Sequence, residues 1–180
     1  MNYCSHCGSP DIRKATPTGD DRPRWVCSVC GSIFYDNPRI IVGCLVEHEG
    51  KVLLCRRAIP PQYGLWNLPA GFLENGESAE EGARRETMEE SKAEVEILKL
   101  HAVYSLPKVN QVYLHFLARM TGETFGPTHE SLEVSMFAPN EIPWDQIAFD
   151  STTFALERFF ECGAGYTGVH LGSHSDCGAW

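Results

Sequence analysis

No apolar run in this chain approaches the ~20 residues of a membrane-spanning helix. The polar, cysteine-bearing N-terminus does not read as a secretory leader. Basic charge is also scarce: 15 Lys and Arg stand against 24 Asp and Glu, a formal net charge of −9. That balance argues against general nucleic-acid binding, which depends on basic surface neutralising phosphates. The sequence has no internal repeat. Its most informative scarcity is local. Between Glu74 and Glu94 the one large apolar side chain is Met88, while eight glutamates occupy these 21 positions.

That stretch has helix signals without a helix's usual buried face. Ser78 followed by Glu81 is a capping box, and Ala79, Ala83, Arg84, Arg85 and Met88 are good helix formers. At 100° per residue Ala79, Ala83, Glu86 and Glu90 project from one side, with Gly82 and Glu89 at its margin. A face meant for burial normally carries Leu, Ile or Val. Glutamates this close raise one another's pKa unless a positive group sits among them. Arg85 can pair with Glu89 but cannot neutralise Glu86, Glu89 and Glu90 together. A hard divalent cation such as Mg²⁺ can, taking one or two protein carboxylates plus substrate phosphate oxygens. The competing meaning of such a composition is a solvated, charge-rich helix.

The chain has eight cysteines. Cys4, Cys7, Cys27 and Cys30 form C-x2-C-x19-C-x2-C, a spacing expected of a closed, structural Cys4 zinc site. A glycine follows each pair, at Gly8 and Gly31, where a tight turn points backbone N–H groups at sulfur. His6 lies within a knuckle but is surplus to four thiolates. Thiolate ligation in a chain read as lacking a leader fits a reducing, cytoplasmic compartment. Residues 1–38 thus read as a zinc ribbon, with Ile12, Trp25, Val26, Ile33, Phe34 and Tyr35 as its mini-core. So small a unit depends on its metal to fold. Arg13, Lys14, Arg22, Arg24 and Arg39 stand against Asp11, Asp20, Asp21 and Asp36, a net of +1, so no basic stripe emerges. A scaffold role follows, with a homodimer interface as one use of it.

Residues 39–162 read as one α/β domain. At 43% hydrophobic and 22% charged, the chain can bury a real core. Runs 39–46 and 51–57 predict a hairpin turning through Glu47–Gly50, with Cys44 and Cys55 as small core residues. Residues 59–64 read as a loop and Trp66–Leu68 as a return to the sheet. Strands are expected at 95–104, 111–120 and 133–138, followed by a Pro-broken connector at 139–146 and a closing amphipathic helix at 151–162. The Gly-rich stretch 163–180 reads as a loosely ordered tail. The weaker alternative is metal binding by His170, His174 and Cys177.

The glutamate-rich stretch resembles the Nudix hydrolase signature, G-x5-E-x7-R-E-U-x-E-E-x-G-U, where U is bulky and aliphatic. Gly71, Glu77, Arg85, Glu86, Glu89 and Glu90 match in register. Thr87 and Ala93 depart at the U positions, and Lys92 stands where the signature has glycine. Trp66-Asn67-Leu68-Pro69 looks like the family's lead-in strand. The resemblance implies an α/β/α sandwich with a mixed sheet that hydrolyses a nucleoside diphosphate linked to another moiety. It implies Mg²⁺ or Mn²⁺ held by Glu86, Glu89, Glu90 and the Ala70 carbonyl, with Arg85 orienting the glutamates. The general base is either a box glutamate or an acid of the later loop 126–133, where Glu130 is the first candidate and Glu133 the second.

Together with the ribbon, the run 42–55 and the stretches 127–137 and 145–151 resemble the plant FAD pyrophosphatases. That likeness implies cleavage of FAD to FMN and AMP, with ADP-ribose or NADH as alternative substrates. The S-Q-P-W-P-F-P-x-S stretch of NADH pyrophosphatases is missing, and Ser105-Leu106-Pro107 occupies its place. Pro107 loosely meets a proline cue of ADP-ribose enzymes. Trp66 and Tyr104, with Tyr113, are candidates to stack on a base, although aromatics beside strands are more often core. Two rival readings are a hydrolase of nucleotide sugars or RNA caps, and a zinc-ribbon nucleic-acid binder with an inactive Nudix domain.

Overall fold

The computed structural model describes residues 1–174. The chain divides into two compact units, Met1–Asn37 and Pro38–Trp180.

The N-terminal unit is a three-stranded antiparallel sheet of β1 (Ile12–Ala15), β2 (Arg24–Cys27) and β3 (Ile33–Phe34), in that order. Its two turns repeat one geometry. Gly8 N–H donates to Cys4 O and Cys4 N–H to Ser9 O; Gly31 N–H donates to Cys27 O and Cys27 N–H to Ser32 O. Both glycines sit at φ +73°, which costs glycine nothing and other residues about 1–2 kcal/mol. The expected apolar mini-core is only partly there. Ile12, Trp25, Val26 and Phe34 are half-buried, whereas Ile33 and Tyr35 are exposed. Within residues 1–37 the buried side chains are Cys4 and Cys27. Three short strands cannot enclose six apolar residues, so the centre falls to sulfur.

The second unit is a mixed sheet between two helices, the expected α/β/α sandwich. Its strands are β4 (Arg39–His48), β5 (Lys51–Arg57), β6 (Trp66–Asn67), β7 (Ala70–Phe72), β8 (Val95–Leu106), β9 (Gln111–Met120), β10 (Ser131–Phe137) and β11 (His170–Ser173). The order is β10-β5-β4-β9-β8-β11, with β6 beside β5 and β7 beside β4. β4 lies parallel to β9 and β11 parallel to β8; the other pairs are antiparallel.

Alternation along the strands loads both faces. Val42, Cys44, Val46, Leu53, Cys55, Phe116 and Ala118 pack with Ala83 of α1 (Ala79–Ser91). Leu45, Val52, Leu54, Trp66, Leu68 and Leu117 pack with Ala155, Leu156 and Phe159 of α2 (Asp150–Cys162). Each fully buried leucine contributes about 1.5–3 kcal/mol. Small side chains on α1 let it lie close to β4: a methyl on Gly82 would stand 2.7 Å from Glu77 Oε1 and 2.9 Å from Val42 Cγ2.

The tail expectation needs correcting. Residues 170–173 form β11, pairing His170 with Ala102 and Ser173 with Ser105, and Tyr166 stacks on His170 at 4.4 Å. Gly172 fits because a side chain there would meet Phe154 and Tyr104, both within 2.8 Å. Gly-Val-His-Leu-Gly-Ser has no clean alternation, which hid the strand. The alternative of metal binding by His170, His174 and Cys177 rests in part on a residue outside those described. His170 packs against His101, whereas His174 lies four residues along and bonds Asp150 at 2.7 Å. Cys177 falls outside the described residues.

Candidate active site

The box helix starts as its sequence indicates. Glu81 N–H donates to Ser78 Oγ at 3.2 Å, and Ser78 N–H donates to Glu81 Oε2 at 2.8 Å. The helix then buries Glu86, Thr87, Glu90 and Ser91 against the sheet. The departures at Thr87, Lys92 and Ala93 are accommodated locally. Thr87 is fully buried because its hydroxyl donates to Ala83 O at 2.7 Å. Lys92 takes the left-handed cap at φ 60°, its N–H bonded to Met88 O, and Ala93 is buried beyond it.

Arg85 commits every donor it has. Nε and Nη2 reach Glu77 at 3.0 and 2.7 Å, Nη1 reaches Glu86 Oε1 at 2.7 Å and Glu89 Oε2 at 3.2 Å, and Nη2 also reaches Phe72 O at 3.1 Å. These bonds hold Glu77 down to about 2. Glu77 in turn accepts from Glu74 N–H at 2.8 Å, fastening the loop between β7 and α1. Arg85 thus ties Glu77, Glu86, Glu89 and the Phe72 carbonyl together.

Glu86 and Glu90 are 9% and 6% exposed. Burial raises both carboxyls, and Glu90 is pushed up to about 8, against a hydrogen bond from Ala70 N–H at 3.2 Å. Charge on Glu86 and Glu130 pushes Glu90 in the same direction as burial. Glu89 is half-exposed at the rim. Glu86, Glu89, Glu90, Glu130 and Ala70 all line a single cavity of about 490 Å³. Buried carboxylates converging on a cleft where Arg85 is fully committed and Arg57 forms no ion pair among the described residues fit a hard divalent ion such as Mg²⁺ or Mn²⁺.

The later loop supplies Glu130 but not Glu133. Glu130 lines the cavity, with its backbone O accepting from Ala58 N–H and its side chain 3.1 Å from His129 Nε2. Glu133 lies on β10 and reaches Arg56 at 3.8 Å, an exposed pair that does not line the cavity. A register shift between Ser131 and Glu133 interrupts the strand's alternation there and leaves Leu132 and Glu133 both exposed.

The aromatic expectations are corrected too. Trp66 is 7% exposed and packs edge-on against Phe137 in the α2-side core, and it does not line the cavity. Tyr104 is 7% exposed, packs against Phe154, and borders a separate cleft with Asp150 and His174. Tyr113 does line the active-site cavity, alongside Phe72 and Phe149. Sequence reasoning passed over Phe72, Phe149, Gln111 and Arg57, which also line it. The cue for Phe72 was its place directly after Gly71; for Phe149 no local signal existed.

In the N-terminal unit, Cys4, Cys7, Cys27 and Cys30 bring their sulfurs within 4.8 Å of one another, with Cys4–Cys30 at 3.6 Å and Cys7–Cys27 at 3.7 Å. Zn–S bonds of about 2.3 Å would place tetrahedral sulfurs about 3.8 Å apart. The Ser32 hydroxyl and backbone lower Cys30 to about 6. Against the Ser9 backbone hydrogen bond, the crowd of Cys30, Cys4 and Cys27 pushes Cys7 up to about 12. Four sulfurs this close need a cation to be thiolates together, and Zn²⁺ is the ion that the donor set fits.

The chain thus combines a mixed sheet between two helices, with buried glutamates on one of them, and a separate four-cysteine ribbon. The NUDIX domain pattern matches residues 37–156, and the Nudix N-terminal zinc-ribbon pattern matches residues 2–36. The chain belongs to the Nudix hydrolase family. A crystal structure of a NUDIX hydrolase from Nitrosomonas europaea is similar at a TM-score of 0.91 and 49% identity, covering 97% of this chain and 99% of that one. The ADP-ribose pyrophosphatase of Methanocaldococcus jannaschii is 31% identical over 64% of this chain and 70% of its own. The NAD-capped RNA hydrolase NudC of Chromobacterium violaceum is 32% identical over 73% of this chain and 47% of its own. This chain therefore spans about half the length of that NudC relative. No helix among the described residues is long and apolar enough to cross a membrane.

Proposed function

We propose that this protein is a metal-dependent dinucleotide pyrophosphatase, with FAD, cleaved to FMN and AMP, as the substrate of first choice and ADP-ribose as the second. The observation that carries this reading is the convergence of Glu86, Glu89, Glu90 and Glu130 on one cavity with Arg85 already fully engaged. NADH or NAD⁺ is the third choice, on the strength of the NudC relatives.

Glu86, Glu89, Glu90 and the Ala70 carbonyl would hold Mg²⁺ or Mn²⁺. Such ions, when bound, neutralise diphosphate charge and activate water. Arg85 keeps Glu86 and Glu89 aimed by hydrogen bonds at 2.7 and 3.2 Å. Ala70 N–H fixes one oxygen of Glu90. Glu130, which lines the same cavity, would accept the proton of the attacking water. Phe72, Tyr113 and Phe149 give the cavity apolar and aromatic surface for the organic part of the substrate. The ribbon's Zn²⁺ would be structural, closed by four thiolates, and this thiolate site favours a cytoplasmic location.

The testing experiment offers FAD, ADP-ribose, NADH and NAD⁺ at equal concentration with Mg²⁺ or Mn²⁺ and resolves the products by chromatography. FMN and AMP in excess support the first choice. AMP with ribose 5-phosphate in excess moves the substrate to ADP-ribose and leaves the catalytic assignment standing. No turnover of any of the four refutes the proposal.

A further inference from the structure

Two arginines line the active-site cavity, and they are used differently. Arg85 is spent on carboxylates and Phe72 O. Arg57, at the end of β5, is 9% exposed, and among the described residues no carboxylate lies within ion-pair distance of it. Its Nε donates to Pro61 O at 2.9 Å, its Nη2 makes a longer contact to Ile59 O at 3.5 Å, and its guanidinium lies over the Phe149 ring at 5.1 Å. Its backbone closes the same loop from the other side. Arg57 N–H donates to Leu65 O, and Gly64 N–H donates to Arg57 O. The next residue, Ala58, donates to Glu130 O at 2.8 Å.

Three segments distant in sequence meet here: the loop 58–64, the approach to β10 and the residue capping α2. Each presents a residue to the cavity: Ile59 and Pro61, Glu130, and Phe149. The Pro61 and Ile59 carbonyls accept from one guanidinium, and an aromatic face attracts a cation. A planar fork serves both at once, whereas the single ammonium of lysine cannot.

We infer that Arg57 is a positioning residue that clasps Ile59, Pro61 and Phe149 into one apolar wall and thereby sets how tightly the non-phosphate half of the substrate is held. This rests on the pyrophosphatase reading and adds to it. The Arg57 fork is turned to backbone oxygens and a ring, so the residue acts through the wall. Its charge also lowers the carboxyl of Glu90; Arg57→Lys keeps that charge and Arg57→Met removes it, so the clasp is what the two variants lose in common.

The test compares wild type with Arg57→Lys, Arg57→Met and Phe149→Leu on FAD and ADP-ribose, with amide hydrogen exchange read on each protein without substrate. Both Arg57 variants should raise KM about tenfold with kcat within about threefold, since misplacing a wall costs binding more than chemistry. Phe149→Leu, which keeps both carbonyl contacts, should raise KM less. Exchange should quicken at 58–64 and 128–131 and stay unchanged in α1. Wild-type KM in Arg57→Met overturns the inference. So does wild-type KM in Arg57→Lys, because a point charge touching the substrate would then suffice. If wild type cleaves neither dinucleotide, the pyrophosphatase reading has failed, and exchange alone decides the clasp: faster exchange at 58–64 in Arg57→Met upholds it, and unchanged exchange refutes it.

Discussion

Gly71 and Glu86 share one small volume: a methyl group on Gly71 would occupy the space of the Glu86 carboxylate. The glycine therefore serves Glu86 and not a turn, since it is absent from the positive-φ residues. Strand β7 brings Gly71 opposite Val42, and α1 lays Glu86 over it. The spacing of 15 residues between them in the box thus has a steric meaning.

Gly71→Ala follows directly. The added methyl must displace the Glu86 carboxylate, so kcat should fall about 100-fold or more. Folding stability should fall by about 1–3 kcal/mol from overpacking. Steady-state kinetics beside a thermal melt read both, and an active variant would show that Glu86 is free to move.

Lys92 makes the opposite case. It holds φ 60° and ψ 8° at the end of α1 without a side-chain reason. Lys92→Gly relieves a left-handed residue but loosens the unfolded chain, for a net gain of about 0.5–1 kcal/mol. The melting temperature should rise by about 2 °C with activity unchanged. A lower melting temperature would contradict the cap assignment.

His115 sets a prediction in pH. It is 1% exposed, and among the described residues neither ring nitrogen has a hydrogen-bond partner. Burial pushes it down to about 3, with His101 adding to the effect. Its folded value is below its unfolded value, so the unfolded chain binds the proton first as pH falls. Stability is therefore full above about 6.5 and is lost as pH falls from there toward 3, by about 2 kcal/mol at pH 5. Urea midpoints between pH 7 and pH 5 should show this slope, and His115→Leu should flatten it. An equal slope in the variant would assign the effect elsewhere.

The ribbon should answer to its metal alone. Chelation or Cys27→Ser should abolish protection of residues 1–37 from amide exchange, because Cys4 and Cys27 are the buried side chains of that unit. Exchange in α1 should be unaffected.

What was legible in the sequence was local. The capping box at Ser78, the pairs Cys4/Cys7 and Cys27/Cys30, and the strand Gln111–Met120 declare themselves through short-range spacing and alternation. The glutamates were legible because a helix with carboxylates where leucines belong is anomalous. What stayed hidden depends on long-range meetings. Phe149 enters the cavity because α2 begins beside Arg57, and Trp66 leaves it because β6 turns inward onto Phe137. β11 exists because Tyr104 and Phe154 leave room for glycine alone at position 172. No window of neighbouring residues carries that information.

Glu86, Glu89 and Glu90 are proposed to hold a catalytic divalent ion. FAD and ADP-ribose turnover as a function of Mg²⁺ concentration, in wild type and in Glu86→Gln, decides whether they do. The account predicts no turnover without added metal, and a loss of about three orders of magnitude in kcat for Glu86→Gln, with zinc content and melting temperature retained. Turnover independent of divalent metal, or a Glu86→Gln enzyme as fast as wild type, would contradict it.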